Sequence, residues 1–363
     1  MKNAKKTIAM LIASFSVLTA CQSGGQEGKI TVVDDPRSQG GEPAITVETV
    51  DPYENMEIHD WLDEETVLVS KENESLNKLS LAELSDSYPR SLYWYHLDTK
   101  QYELLVEREK ANVGGASLSP DKKHLIYQEY TLGDPSFHVM NLDTKATFDL
   151  SGEPIAGAVS AKWADDETII GAAYSGTAYT AKVTGEITAL DRISEEGLFI
   201  VSQMNGILYY NTNADPSLRS LDLAKTESDD LGLDNVSGVF PSPDGKQMLV
   251  MQHNGSRIGL KLCDTAGKVT AAIAEGTELG GVSWSPDQRL IAYTLKDDSS
   301  SGAVNALYVY DLLAGESTRI AVNIAHAATA WSPSADALAY TEWNGEESTA
   351  SIVHLNYSLQ KEE

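Results

Sequence analysis

The stretch Trp284-Ser285-Pro286-Asp287-Gln288, followed by the apolar run Leu290-Ile291-Ala292-Tyr293, sets the architecture of this 363-residue chain. Proline fixes φ for the first central position of a turn, and an Asp side chain accepts hydrogen bonds from nearby backbone N–H groups. We therefore predict a tight turn between two strands. Three further turns of this kind each precede an apolar strand: Ser119-Pro120-Asp121-Lys122, Ser242-Pro243-Asp244-Gly245 and Ser332-Pro333-Ser334-Ala335.

A second signature, an alternating strand that ends in Asp or Asn and a turn, follows each turn proline by 21 to 25 residues. Its copies are Val139–Lys145, Leu260–Thr265, Leu307–Leu312 and Ile352–Asn356. Two coupled signatures at this separation indicate a repeat of about 45 residues, the size of one four-stranded propeller blade.

Weaker copies fill the rest of the chain. Trp61–Val69 pairs with Trp94–Lys100, Trp163–Ile170 pairs with Ala181–Gly185, and a degenerate unit runs from Glu195 to Leu223. The sequence predicts an all-β fold, a β-propeller over residues 44–358 with seven four-stranded blades. Six blades follow if the degenerate unit belongs to its neighbours.

The last repeat lacks a fourth strand, because only a short, charged tail follows Asn356. An open blade would expose unpaired N–H and C=O groups beside an apolar face. We predict that an N-terminal strand, Ile45–Val50, pairs on the outside of the final blade and closes the ring. The other strand-like segment before the first repeat, Ile30–Val33, is the alternative.

The first 20 residues have the features of an export signal. Lys2, Lys5 and Lys6 precede the apolar run Ile8–Leu18, which is too short to span a bilayer, and Leu18-Thr19-Ala20-Cys21 ends in small residues. An ordinary secretory signal that happens to contain a Cys is the alternative. The polar, Gly-rich residues 21–43 are predicted to form a flexible tether.

Leu18-Thr19-Ala20-Cys21 resembles the lipobox of bacterial lipoproteins, in which the Cys is diacylated and becomes the mature N-terminus. The resemblance implies lipidation of Cys21, with the acyl chains anchoring the protein at the extracytoplasmic face of the cell membrane. The leader and tether resemble those of Gram-positive bacteria.

The charge of the chain limits the class of partner, and its cysteine content limits disulfide bonding. The chain has 54 acidic and 27 basic residues, and Lys122-Lys123 is the longest basic run after the leader, so we expect no nucleic-acid partner. With Cys21 assigned to the lipid, Cys263 has no disulfide partner. Its alternating strand context indicates a small buried hydrophobe; a reactive thiol is the alternative.

Motifs that carry chemistry are absent. The sequence contains no Gly-x-Ser-x-Gly elbow, His-Glu-x-x-His, Cys-x-x-Cys or P-loop, so we assign no catalytic, metal or cofactor residue. Seven histidines are scattered at positions 59, 96, 124, 138, 253, 326 and 354. Of these, His59 and His326 precede Trp61 and Trp331 on predicted innermost strands, from which side chains reach the central channel.

Aromatic residues and one insertion are the remaining candidates for binding. Four tryptophans recur at one repeat position, which indicates packing between blades: Trp61, Trp163, Trp284 and Trp331. The off-register Trp94, Tyr209, Tyr210 and Trp343 are interpreted as surface anchors. The segment from Lys71 to Ser91 interrupts the first repeat, and its Leu76, Leu79, Leu81 and Leu84 fit a short amphipathic helix facing a partner.

The Trp-Ser-Pro-Asp repeats resemble the WD-like repeats of the TolB-like propeller family over about residues 51 to 358. The glycine that follows Asp in the family is present only at Gly245, and the chain shows no separate helical N-terminal domain. Such repeats specify fold better than function. We expect a monomeric, non-enzymatic propeller that binds or scaffolds a protein or envelope ligand without a cofactor.

The alternative is an envelope enzyme that processes glycans or peptides. Propeller oligosaccharide lyases have a similar repeat pattern, and that resemblance implies His and other polar ligands around a metal at the channel mouth. His59 and His326 are the candidates, with no third ligand evident in the sequence.

Overall fold

The computed structural model describes residues 45–80, 86–195, 197–225, 227–297, 304–324, 327–343 and 347–357. Outside these residues lie the leader (1–20), the whole tether (21–43) with Cys21 and Ile30–Val33, and His326. The described residues form strands and connections with no helix, and none of their segments is a helix long and apolar enough to cross a membrane.

Thirty strands make up the described part of the chain: β1 (Ile45–Glu54), β2 (Glu57–Trp61), β3 (Thr66–Glu72), β4 (Arg90–His96), β5 (Gln101–Val106), β6 (Asn112–Leu118), β7 (His124–Tyr130), β8 (Ser136–Asn141), β9 (Thr147–Asp149), β10 (Ser151–Gly152), β11 (Ala156–Gly157), β12 (Lys162–Trp163), β13 (Thr168–Ala172), β14 (Thr177–Lys182), β15 (Ile187–Ser194), β16 (Leu198–Met204), β17 (Ile207–Thr212), β18 (Leu218–Asp222), β19 (Ser228–Leu233), β20 (Val236–Pro241), β21 (Gln247–Asn254), β22 (Arg257–Asp264), β23 (Val269–Gly276), β24 (Leu279–Trp284), β25 (Leu290–Asp297), β26 (Val304–Asp311), β27 (Glu316–Val322), β28 (Ala327–Trp331), β29 (Ala337–Trp343) and β30 (Ser348–Tyr357).

These strands form seven four-stranded antiparallel blades in a ring, as the repeats predict. In chain order the blades are β2–β5, β6–β9, β12–β15, β16–β19, β20–β23, β24–β27, and β28–β30 with β1. The degenerate unit is a complete fourth blade, which excludes the six-blade alternative. A small hairpin, β10–β11, joins blades two and three.

Each Ser-Pro-Asp turn connects the innermost strand of a blade to the second strand. In blade two, Ser119 Oγ donates to Asp121 Oδ1 at 2.7 Å and accepts from the His124 backbone N–H at 2.9 Å. Lys122 then has a φ of 59°, a left-handed conformation. Its counterparts Gly245, Gln288 and Ala335 also have positive φ, so the turn's own hydrogen bonds support that conformation with and without Gly.

The core consists of apolar layers between neighbouring blades, and the recurring tryptophans belong to these layers, as predicted. Indole N–H groups donate to a carbonyl on the innermost strand of the preceding blade: Trp61 to Ala330 at 3.0 Å, Trp163 to Ser117 at 3.1 Å and Trp284 to Phe240 at 3.1 Å. Each of these hydrogen bonds pairs the indole N–H of a ring that otherwise packs among apolar side chains.

The N-terminal strand completes the seventh blade from outside. β1 pairs antiparallel with β30 from Ile45 opposite Tyr357 to Glu54 opposite Thr349, with a bulge near Val47. Ile45 is 1 % exposed and packs in the apolar layer between blades six and seven. The strand is the predicted one and extends four residues beyond Val50.

Other sequence-based expectations need correction. Trp94, Tyr209 and Tyr210 are buried in the blade packing, because they lie on interior strands, and only Trp343 of the four off-register aromatics is exposed. In the insertion after β3, residues 71–80 and 86–91 contain no helix, and Leu81 and Leu84 lie outside the described residues. Asn73 and Leu79 are buried, so this part of the insertion belongs to the fold.

Candidate active site

A cavity of about 270 Å³ opens between blades one and seven, where β2 begins and β29 ends. Its walls include Glu57, His59, Glu342, Trp343 and Ser348. We call this the mouth cavity. Blade seven is tied to blade one here by Thr341, whose Oγ accepts from the Ile58 N–H at 3.0 Å.

His59 enters the cavity because of a β-bulge. The pairing of β2 with β3 shifts between Ile58 and Asp60, so His59 has no residue opposite it. Bulges at the corresponding place of β16 and β20 leave Phe199 and Ser237 unpaired, and these line a second cavity. The bulge is therefore a repeated feature of the innermost strands that directs the extra residue out of the ladder.

The Nε2 atom of His59 is buried without a hydrogen-bond partner. The side chain is 13 % exposed, and Glu57 Oε2 lies 3.9 Å from that nitrogen. Burial, helped by the positive charge of Arg90 and opposed by Glu57, lowers the pKa of His59 to about 4. The imidazole is therefore neutral at neutral pH, and none of the described residues occupies the lone pair or proton site of its Nε2 with a hydrogen bond.

Glu57 is held as a carboxylate beside this histidine. Burial by itself raises its pKa, but Arg90, together with hydrogen bonds from Ser348 and Ser70, lowers the pKa overall. Arg90 Nη2 lies 3.4 Å from Glu57 Oε1, and the two serine hydroxyls donate at 2.6 and 3.2 Å. Arg90 is itself fixed by donating to the Ser70 carbonyl at 2.7 Å.

The opposite wall of the mouth cavity carries a carboxyl group whose pKa is raised rather than lowered. Glu342 lies on β29, and burial raises its pKa, which favours the protonated form. The neighbouring Trp343 is 62 % exposed, an aromatic surface at the rim. The mouth cavity thus holds a neutral base, an ionised carboxylate and a carboxyl group shifted toward protonation.

A second cavity, of about 210 Å³, lies between blades four and five. Phe199, Asn213, Asn235 and His253 line it, and Phe199 is 52 % exposed. The buried hydroxyl of Ser237 has no hydrogen-bond partner. An aromatic face surrounded by amide and hydroxyl groups is suited to a sugar ring, which combines an apolar face with hydroxyls.

A metal does not fit the donor groups of the described residues. No group of three or more His, Cys, Asp or Glu side chains comes together there to hold an ion. At the mouth, the oxygens of Glu57 are already engaged by serines and by Arg90, whose charge would repel a cation. His326, named beside His59 in the sequence, lies outside the described residues.

The other histidines are dispersed. His96 lies near Glu103, His124 bonds Asn141, His354 bonds Asp51, His253 lines the second cavity, and His138 belongs to a separate cluster in blade two. Cys263 is buried and free, and burial raises the pKa of its thiol to about 11, which agrees with a structural rather than a nucleophilic residue.

The repeat and motif patterns of the sequence do not single out the other residues of this site: Glu57, Arg90, Glu342 and Ser348. Glu57 and Ser348 are 291 residues apart, and the closure of the ring brings them together. A local signal did exist, since Glu57 and His59 lie two residues apart on an innermost strand.

Comparisons with known proteins show the fold. No protein-family model and no curated protein matches the chain. Among solved structures, an oligogalacturonate lyase in complex with manganese is similar with a TM-score of 0.61 and 12 % identity, over 86 % of this chain and 97 % of that one. The oligogalacturonate lyase from Vibrio parahaemolyticus gives 0.61 and 12 %, over 85 % and 97 %. TolB from Acinetobacter baumannii gives 0.48 and 14 %, over 75 % and 60 %.

The expectation that this propeller is not an enzyme is wrong, because the reason for it does not hold. It relied on the absence of a hydrolase motif and of an added catalytic domain. The lyases overlap this chain over 97 % of their length, so a propeller of this size is sufficient for an enzyme. The fold of this chain is thus one that enzymes also use, and the expectation that excluded catalysis is corrected accordingly.

Proposed function

We propose that this protein is a glycan lyase of the cell envelope, which cleaves a uronate-containing glycan by β-elimination in the mouth cavity. The observation that carries the proposal is His59, a neutral imidazole in the wall of the mouth cavity whose buried Nε2 has no hydrogen-bond partner among the described residues. The likeness of the fold to oligogalacturonate lyases supports the reaction class.

The reaction requires a base for the proton on C5 of a uronate and an acid for the departing oxygen on C4. His59 Nε2 takes the proton, the electrons of the C–H bond form the C4–C5 double bond, and the C4–O bond breaks. Glu342, with its raised pKa, is placed in the same cavity to protonate the leaving oxygen. Two titratable groups with pKa values displaced in opposite senses thus divide the two proton transfers.

The uronate carboxylate must be stabilised as charge develops at C5. The fold relatives include a lyase that binds manganese, but the described residues lack a matching donor set, and no step is assigned to a metal. Arg90 lies behind Glu57 and offsets its negative charge on this side of the cavity. Trp343 at the rim offers a face for a sugar ring.

Glycoside hydrolysis is the second candidate, and the carboxyl pair favours it. Glu57 is held ionised and Glu342 is shifted toward protonation within one cavity, the combination that hydrolases use as base or nucleophile and acid. Such a reaction also needs no stabilisation of a substrate carboxylate.

One assay separates the two reactions. Purified protein is incubated with oligouronates and with neutral oligosaccharides, and products are followed by ultraviolet absorbance of the new double bond and by mass. A lyase gives an unsaturated product without the added mass of water. Hydrolysis gives saturated products that carry one water, and absence of both products from every glycan would contradict the proposal.

We further propose that Cys21 carries the lipid that keeps the protein at the membrane, on the basis of the Leu18–Cys21 box. Cys21→Ser should release the protein from membranes or block processing of the leader. Unchanged membrane retention and gel mobility would contradict this anchor.

A further inference from the structure

A second cluster of polar side chains lies on blade two, apart from the mouth cavity. Ser136 and His138 occupy one face of β8, two residues apart, and Asp149 lies opposite His138 on β9. Ser136 Oγ is 3.0 Å from His138 Nε2, and His138 Nδ1 is 2.7 Å from Asp149 Oδ1. This is the hydrogen-bond order of a Ser-His-Asp catalytic triad.

The hydrogen bond to Asp149 determines the direction of proton transfer. A carboxylate accepts from the Nδ1–H of the imidazole, which leaves the Nε2 lone pair facing the Ser136 hydroxyl. Tyr127 stacks on the ring, with centroids 5.1 Å apart and an interplanar angle of 18°. His138 is 8 % exposed whereas Ser136 is exposed, so a fixed base faces a hydroxyl that solvent can reach.

Two neighbouring groups compete for these atoms. Glu129 Oε1 lies 3.6 Å from His138 Nε2, but it is paired with Arg108 Nε at 2.6 Å. The Ser136 hydroxyl also lies 3.4 Å from the Glu129 carbonyl, a longer contact than the one to His138. The geometry therefore favours the serine–histidine hydrogen bond.

Arg108 places a positive charge next to this cluster, through its contacts with Tyr127 and Glu129. Its Nη2 donates to the Tyr127 hydroxyl at 3.2 Å and its Nη1 to the Glu107 carbonyl at 2.9 Å. A guanidinium has five donors, so two remain after these bonds and the pairing with Glu129. Its side chain is 40 % exposed.

We infer that Ser136, His138 and Asp149 form an acyl-transfer site that hydrolyses small ester groups, independently of the proposed lyase reaction. Ser136 Oγ bonds to the acyl carbon while its proton moves to His138 Nε2 and the carbonyl electrons move to oxygen. Collapse expels the alcohol, which takes the proton from His138. Water then attacks the acyl-enzyme, His138 accepts its proton, and the carboxylic acid leaves as Ser136 regains a proton.

Small acyl groups are the expected class because the serine is exposed on a strand rather than enclosed by apolar walls. Such a site holds an acetyl ester on a larger carrier better than a long acyl chain, which needs apolar walls.

The test uses the intact protein with a fluorophosphonate probe and p-nitrophenyl acetate. Mass spectrometry should find the probe on Ser136, and Ser136→Ala and His138→Gln should each lower ester turnover at least about 100-fold. Asp149→Asn should lower it at least about tenfold. Ser228→Ala is the matched control, since Ser228 is exposed on β19 of another blade, and it should retain the wild-type rate.

Labelling elsewhere with Ser136 unmodified, or wild-type turnover by Ser136→Ala, would overturn the inference. Ser136→Ala removes an exposed hydroxyl, so its melting temperature should match that of the wild type even if His138→Gln does not fold. The same variant should leave uronate elimination unchanged, which separates a failure of this site from a failure of the mouth cavity.

Discussion

At the scale of the residue, His59 shows how a bulge and burial set a proton affinity. The bulge takes the imidazole out of the strand pairing, and burial beside Arg90 lowers its pKa to about 4 from an ordinary 6.5. The neutral form is therefore favoured in the folded protein, whereas the unfolded chain binds the proton at higher pH.

This shift predicts the acid limit of the lyase reaction. If His59 is the base, kcat/KM should stay high as the pH falls through 6.5 and decline only near pH 4. The measurement is the rate of double-bond formation across this range at constant ionic strength. A decline centred near pH 6.5 would indicate a histidine with an ordinary pKa instead.

The lowered pKa of His59 also makes the stability of the folded protein fall at acid pH. Because the folded pKa is depressed, the stability that neutral His59 contributes is present above pH 6.5 and is lost as the pH falls toward 4. The melting temperature of His59→Gln should therefore depend less on pH in this window than that of the wild type.

Asn73 is a second residue whose role only the structure shows. Its Nδ2 donates to Ser91 Oγ at 3.1 Å and to Glu107 Oε2 at 3.0 Å within a buried site. Asn73→Ala removes the partner of the buried Ser91 hydroxyl and should cost about 1–3 kcal/mol in the free energy of unfolding. Asn77→Ala, at an exposed position of the same insertion, is the control and should change it little. Equal denaturation midpoints of the two variants would show that the insertion is not integrated into the fold.

At the scale of the element, the repeat signatures predict the blades because turn chemistry is local. Ser-Pro-Asp and the later Asp each bond to backbone groups within a few residues, as in Asp311 Oδ1 with the Leu313 N–H at 2.8 Å. The same principle explains the failure at the insertion. The apolar spacing of Leu76 and Leu79 suggested a helix, but Leu79 is buried on an irregular segment whose contacts the sequence does not reveal.

The N-terminal strand predicts the stability of the ring. Removal of residues before Asp51 deletes Ile45 and Val47 from the layer between blades six and seven. It also leaves β30 unpaired from Val353 to Tyr357. Burial of one such side chain is worth about 1.5–3 kcal/mol, and the lost strand hydrogen bonds add to this. A chain beginning at Asp51 should melt at least about 5 °C lower, or aggregate.

A chain beginning at Gly41 is the control, because it retains all of β1 and should melt like the mature protein. Equal thermal stability of the two chains would refute closure by this strand.

At the scale of the whole molecule, the ring creates a site that no local pattern contains. Glu57 and His59 come from the first blade, whereas Glu342, Trp343 and Ser348 come from the last. The closure was predictable from the missing fourth strand, but the residues that meet at the junction depend on the register of both blades. This is why the fold was predicted and the mouth cavity was not.

The net charge of −27 predicts how the proposed elimination reaction responds to salt. A polyanionic uronate is repelled by the acidic surface, and added salt screens repulsion beyond about 8 Å at 0.15 M ionic strength. KM for an oligouronate should therefore fall several-fold between about 0.01 and 0.15 M salt, while kcat changes little. A KM that rises with salt would show that attraction, rather than repulsion, dominates at the cavity.

The role of His59 as the base is tested most directly by the elimination rate of His59→Gln on an oligouronate substrate, measured by formation of the unsaturated product. His96→Gln is the control, a histidine on the same blade at the end of β4 and away from the mouth cavity. We expect His59→Gln to lower kcat at least about 100-fold with its fold intact by circular dichroism, and His96→Gln to retain the wild-type rate. Wild-type elimination by a folded His59→Gln variant would contradict the account.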